Sequence, residues 1–239
     1  MLIVDAHAHI FTKWAGINDG LPVTSEKYGK IKVGNKFVQV MPPLFEDSNS
    51  TLQMLLANMD VYGINKAVIL SNVGYGYNNE YLYDAVNAYP DRFRALALID
   101  VTGGKPAADE LNELVCHKGF CGLKIETLTC FQCSKNYDLD DIQLEPVWEC
   151  CNDLKLKVML HISRTNDIIS LKNLVKMYNK IKYIVAHFGS ETVFCKGTPS
   201  MLSFATYKQL IDIVRIGCKE IPPHHKAMIL GKNALELFW

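Results

Sequence analysis

The sequence has no surplus of either charge. Its 25 lysines and arginines balance 25 aspartates and glutamates. It therefore lacks both a basic stripe for nucleic acid and an acidic tail, and neither is expected as a mode of recognition. It also lacks long apolar runs. Stretches such as "KAVIL" and "VML" are too short to cross a bilayer, so no membrane partner is expected. The opening "MLIVDAH" has no basic segment and no long apolar segment, so no export signal is read there. The eight cysteines are then expected as reduced thiols in the cytoplasm. Cys130 and Cys133 form one CxxC, but the other close pair, Cys150 and Cys151, is adjacent rather than spaced. Plain thiols are favoured over a structural zinc knuckle. No Gly-x-Gly-x-x-Gly follows any apolar run, so a dinucleotide-binding fold has no support.

What is present is a regular alternation. At 49% hydrophobic over 239 residues, the chain can bury a large core, read here as one domain over 1–239. Short continuous apolar runs ("LIVDAHAHI", "KAVILS", "FRALALI", "CGLKIET", "LKVMLHI", "KYIVAHFG") alternate with stretches of helical period. Six such units predict a parallel sheet covered by helices. Helices are expected at 107–118, 143–154 and 167–179. Another over "STLQMLLANMDVYGI" would be capped by Ser50 or Thr51 and ended by Gly63. Residues 11–50 read as an insertion after strand one. "IKVGNKFVQV" within it forms a small hairpin about Gly34–Asn35. The polar residues close the strands rather than open them, which favours a TIM-type (β/α) barrel.

Those closing residues are histidines. His7 and His9 end strand one, His161 ends "VMLH" on strand five, and His187 ends "IVAH" on strand six. Side chains at i and i+2 of a strand share a face, so His7 and His9 point the same way, joined by Asp5. One such histidine would ordinarily be a hydrogen-bonded core residue. Four at strand ends suit a divalent metal, for which neutral imidazole is a common ligand. His117, His224 and His225 have no such placement.

Taken together, "VDAHAHI", "MDVYGINKAVIL", "YPDRFRALALID", "GFCGLKI", "VMLHI", "VAHFG" and "LGKNALELF" resemble the amidohydrolase-related family. This is the branch of the metal-dependent amidohydrolase superfamily that includes aminocarboxymuconate-semialdehyde decarboxylase. The resemblance implies a distorted TIM barrel with one divalent metal, zinc foremost. It implies His7, His9 and His161 as ligands, and His187 as the group that orients or deprotonates metal-bound water or meets the substrate. A bound cation would polarise a substrate oxygen and acidify its water. The expected activity is hydrolysis of a small molecule, with non-oxidative decarboxylation at the same centre as the alternative.

The chain departs from the family pattern in two places. The family carries a ligand aspartate after strand eight, and "TVFCKGTPS" puts Gly197 there. "AHFGSE" also runs straight into that stretch, so about one βα unit of roughly 30 residues is absent. An incomplete barrel has open edges, which neighbouring strands or a homodimer would have to close. Glu126, on the same strand face as Lys124, is a candidate replacement ligand; Lys124 is read as paired with a neighbouring acid, with a carbamate, as in other superfamily branches, as the alternative. Asp167 and Glu191 follow strands five and six. Lys13 and Arg164 are candidates for substrate specificity. A degenerate relative that binds metal without turnover is the remaining reading.

Overall fold

A computed structural model describes residues 2–18, 20–127, 137–162, 164–186 and 207–239. The strands are β1 (Val4–Ala8), β2 (Ile17–Asn18), β3 (Leu21–Ser25), β4 (Lys30–Val33), β5 (Lys36–Gln39), β6 (Lys66–Leu70), β7 (Phe93–Leu96), β8 (Gly122–Glu126), β9 (Lys157–His161) and β10 (Lys182–Val185). The helices are α1 (Leu52–Tyr62), α2 (Asn79–Ala88), α3 (Lys105–Cys116), α4 (Glu145–Asp153), α5 (Thr165–Met177), α6 (Tyr207–Asp212), α7 (Pro223–Ala227) and α8 (Asn233–Phe238).

Two three-stranded parallel sheets carry the βα units, β1-β6-β7 and β8-β9-β10. A parallel bridge between Ala97 and Leu123 joins them, with Ala97 N–H donating to the Gly122 carbonyl at 2.9 Å. Neighbour order along this wall equals chain order. That is the arrangement of a (β/α)-barrel wall; a doubly wound sheet reverses direction at its switch point. The strands are apolar throughout because both faces are covered. Ala67, Ile69, Leu123, Ile125, Val158 and Leu160 meet the helices. The alternate residues Val68, Leu70, Leu96 and Met159 turn inward.

The helices begin and end where their sequence dictates. Thr51 Oγ1 accepts from Met54 N–H at 3.3 Å and caps α1, and Gly63, at φ 67°, ends it. The 11–50 segment holds more strand than its periodicity suggests. β2 and β3 join the β4–β5 hairpin in one antiparallel sheet ordered β2-β3-β4-β5. Pro22 and a mostly exposed face mask β3 in the sequence. Gly34, at φ 55°, gives the two-residue turn its left-handed position. The segment closes on itself where Phe11 and Ser50 exchange backbone hydrogen bonds at 2.7 and 3.0 Å.

α6 is continued by a π-helical turn over Ile213–Gly217 in which Cys218 N–H reaches the Ile213 carbonyl. The C-terminal residues return to the barrel. Phe238 is buried among Val68, Leu70, Leu96, Met159 and Ala186, and fills the inner face. Gly231 permits this approach, since a Cβ there would lie 2.9 Å from the Leu2 carbonyl oxygen and 3.0 Å from the Val4 nitrogen.

Candidate metal centre

Strand periodicity brings His7 and His9 to one face. Their ring centroids are 5.0 Å apart in an edge-on pair, while Ala8 between them packs toward the helices. Asp5 accepts the His7 backbone N–H through Oδ1 at 3.0 Å. That bond fixes the backbone near the register shift of β1 against β6. His9 Nδ1 lies 2.8 Å from the Leu70 carbonyl oxygen. A carbonyl only accepts, so Nδ1 carries the proton and the lone pair falls on Nε2.

The same logic holds on the fifth strand of the wall. Glu126 and His161 are register partners across β8 and β9, and His161 Nδ1 lies 2.8 Å from Glu126 Oε2. Lys124, one turn of the pleat earlier on the same face, donates to Oε1 at 2.6 Å. Asn72, just beyond β6, donates to that same oxygen at 3.1 Å. Lys124 and Glu126 are each 1% exposed. Burial alone pushes the Glu126 carboxyl up, but the Lys124 ammonium and the His161 hydrogen bond outweigh it and hold the group well below the usual carboxylate range. Glu126 is therefore an ionised acceptor, and His161 also keeps its proton on Nδ1. The expectation that Lys124 pairs with a neighbouring acid holds.

The wall of this site is aromatic. Tyr75 stacks on Phe11 with centroids 3.8 Å apart, meets Trp14 edge-on, and has its ring 5.5 Å from that of His9. Burial, and secondarily the charge of Glu126, push its phenol far up, so it is an O–H donor at every working pH.

Asp167 and Arg164, two further candidates, pair with each other. Asp167 is fully buried in the first turn of α5, where it accepts from Thr127 Oγ1 at 2.8 Å and from Arg164 Nη2 at 2.6 Å. Arg164 also donates to the Tyr137 carbonyl at 2.8 Å, so both residues anchor the start of α5. Lys13, His117, His224 and His225 are exposed. His187, Glu191, Cys195, Gly197, Cys130 and Cys133 lie outside the described residues. Among the described residues, no three His, Cys, Asp or Glu side chains form a ready-made metal cluster. The donor chemistry nevertheless fits a divalent ion, because His9 and His161 both keep the lone pair on Nε2. Glu126 has both oxygens engaged, by Lys124 and Asn72 on one side and His161 on the other.

Asn72 and Tyr75 are the residues the sequence reading passed over. They lie at a short helical turn over Val73–Tyr75, which Asn72 caps by accepting from Gly74 N–H at 2.8 Å. The only local signal is a polar "SN" directly after a buried strand.

Several known proteins share this architecture. A 4-oxalomesaconate hydratase from Rhodopseudomonas palustris is 16% identical, with a TM-score of 0.64 over 99% of this chain and 95% of that one. A 5-carboxyvanillate decarboxylase from Sphingomonas paucimobilis is 16% identical, with a TM-score of 0.59 over 77% and 81%. A probable 2-pyrone-4,6-dicarboxylic acid hydrolase from Acinetobacter baumannii is 19% identical, with a TM-score of 0.56; 89% of this chain spans 66% of that one. At these identities the likeness establishes a shared fold. No curated protein matches the chain. The family model described as "Amidohydrolase" matches residues 4–198, which is most of the 239. With that match, histidines closing the parallel strands of a barrel wall lead to one conclusion: the chain belongs to the amidohydrolase family, whose fold is the TIM barrel.

Proposed function

We propose that the protein is a metal-dependent hydrolase acting on a small, carboxylate-bearing molecule, with His7, His9 and His161 holding one divalent ion, zinc foremost. The observation that carries this reading is the pair of committed Nδ1 atoms. His9 donates to the Leu70 carbonyl and His161 to Glu126, which leaves both Nε2 atoms as donors at the C-terminal ends of their strands. When bound, the ion would lower the pKa of a coordinated water and polarise a substrate oxygen.

The chain's own residues do the rest. Glu126 holds the proton on His161 Nδ1, and Lys124 keeps Glu126 ionised. Tyr75 and Trp14 exclude water from the side of His9, and the Tyr75 hydroxyl supplies a neutral hydrogen-bond donor. His187 is assigned the proton transfer at the reacting group.

The carboxylate-bearing substrate class is supported by the structural neighbours, named for a dicarboxylic acid, an oxalomesaconate and a carboxyvanillate. The decarboxylase among them supports non-oxidative decarboxylation as the second reading. Metal analysis of the purified chain tests the proposal. About one zinc per chain is expected, lost on His9→Ala or His161→Ala and kept on His224→Ala. Metal-dependent turnover is then sought across esters, lactones, amides and aromatic carboxylates. Stoichiometric metal with no turnover would instead identify a degenerate relative, in keeping with Gly197 at the aspartate position. A chain that never retains metal would end the proposal.

A further inference from the structure

The contacts around Glu126 are asymmetric. Oε1 receives two donors, Lys124 Nζ at 2.6 Å and Asn72 Nδ2 at 3.1 Å, and Oε2 receives one, His161 Nδ1 at 2.8 Å. Neither donor on the Oε1 side can turn into an acceptor. An ammonium has no lone pair to offer. Asn72 cannot reverse its amide, because its Oδ1 already accepts from Gly74 N–H at 2.8 Å. The Oε1 position must therefore hold an acceptor, and only the Oε2 position is left to speak to the imidazole.

We infer that Lys124, Asn72 and Glu126 form a relay that dictates which nitrogen of His161 carries the proton, with Glu126 as a positioning residue and Asn72 as the group that sets its polarity. The inference rests on the reading of His161 as a metal ligand only for its effect on metal affinity. The control of the tautomer stands on the hydrogen bonds alone. A carboxylate accepts at both ends, so it keeps Nδ1 protonated and Nε2 available to a metal. An amide in the same place accepts at one end only. Its oxygen would be drawn to Asn72 and Lys124, its NH2 would face His161, and the proton would move to Nε2.

The test uses the full-length, metal-free chain with nitrogen-15-labelled histidine, read by two-bond proton–nitrogen correlation at a pH where imidazole is neutral. Wild type is expected to show His161 with its proton on Nδ1. Glu126→Gln alone would strand the buried Lys124 ammonium and endanger folding. The principal variant is therefore Lys124→Met with Glu126→Gln, which removes both charges and keeps the shape. Here His161 is expected to carry its proton on Nε2, and zinc affinity to fall about 10- to 100-fold. Adding Asn72→Asp gives the glutamine NH2 an acceptor on the far side and turns its oxygen toward His161. The original tautomer and most of the zinc affinity should return.

A wild-type His161 protonated on Nε2 would overturn the inference without any variant. So would a double variant that keeps the Nδ1 proton, or a triple variant that fails to restore it. If the tautomer switches as described but wild type binds no zinc, the relay stands and the metal reading of the site falls.

Discussion

At the scale of single residues, Tyr75 has the most distinctive surroundings. Its ring is clamped by Phe11 and Trp14, and the described residues offer its hydroxyl no hydrogen-bond partner. Removing that hydroxyl should leave the fold intact and weaken what the site binds. Tyr75→Phe is expected to shift stability by less than about 0.5 kcal/mol. It should lower kcat/KM about tenfold for whichever substrate the panel reveals, the worth of one hydrogen bond in a dry site. Paired melting and steady-state measurements check this. The placement of His9 and His161 at strand ends was legible because each closes an apolar run, and the Lys124–Glu126 pairing was legible because period two places them on one face. Asn72 and Tyr75 were not. They gain their neighbours only when the end of β6 meets β8 and the 11–50 segment, a tertiary approach with no local pattern.

At the scale of elements, the packing of β8 against β9 leaves no space at one position. A Cβ at Gly122 would lie 2.1 Å from the Lys157 carbonyl oxygen, which is backbone and cannot step aside cheaply. Gly122→Ala should therefore separate the strands that carry Glu126 and His161. It is expected to cost about 1–3 kcal/mol, measured by urea unfolding, and to loosen metal binding as well. A second element-level contact governs acid stability. Asp140 accepts from Ser170 and Asn173 and so ties the segment before α4 to α5. Those hydrogen bonds hold its carboxyl below the ordinary aspartate value. A depressed native pKa contributes stability above the unfolded-state value near 4, and the contribution disappears as pH falls through the native one. Asp140→Asn should thus lose stability at pH 6 and flatten the acid limb below pH about 4. The effect should stay under about 1 kcal/mol because the group is largely solvated. The six parallel strands of the wall were legible because strands buried on both faces read as continuous apolar runs. β3 escaped notice because Pro22 and its exposed residues break the alternation that marks a strand.

At the scale of the whole molecule, the barrel interior depends on the far end of the chain. Phe238 sits among side chains from β6, β7 and β9 that no helix between those strands can reach. Phe238→Ala should cost about 3–5 kcal/mol in equilibrium unfolding, the range for emptying a buried aromatic site. Trp239 adds a lock at the strand starts, with Lys66 Nζ 4.8 Å and Arg94 Cζ 5.0 Å from its ring centroid. "LGKNALELF" was legible only as part of the family resemblance, and nothing in it indicated that its apolar face would enter the barrel rather than cover it. The inward direction is set by Gly231, where only a missing side chain lets the backbone close on β1.

That late plug has a consequence for synthesis. A ribosome emits β6 and β7 long before Phe238, and until then Val68, Leu70 and Leu96 have nothing to seal them from water. The inner face of the wall is therefore sealed only once Phe238 has docked, however many βα units have already formed.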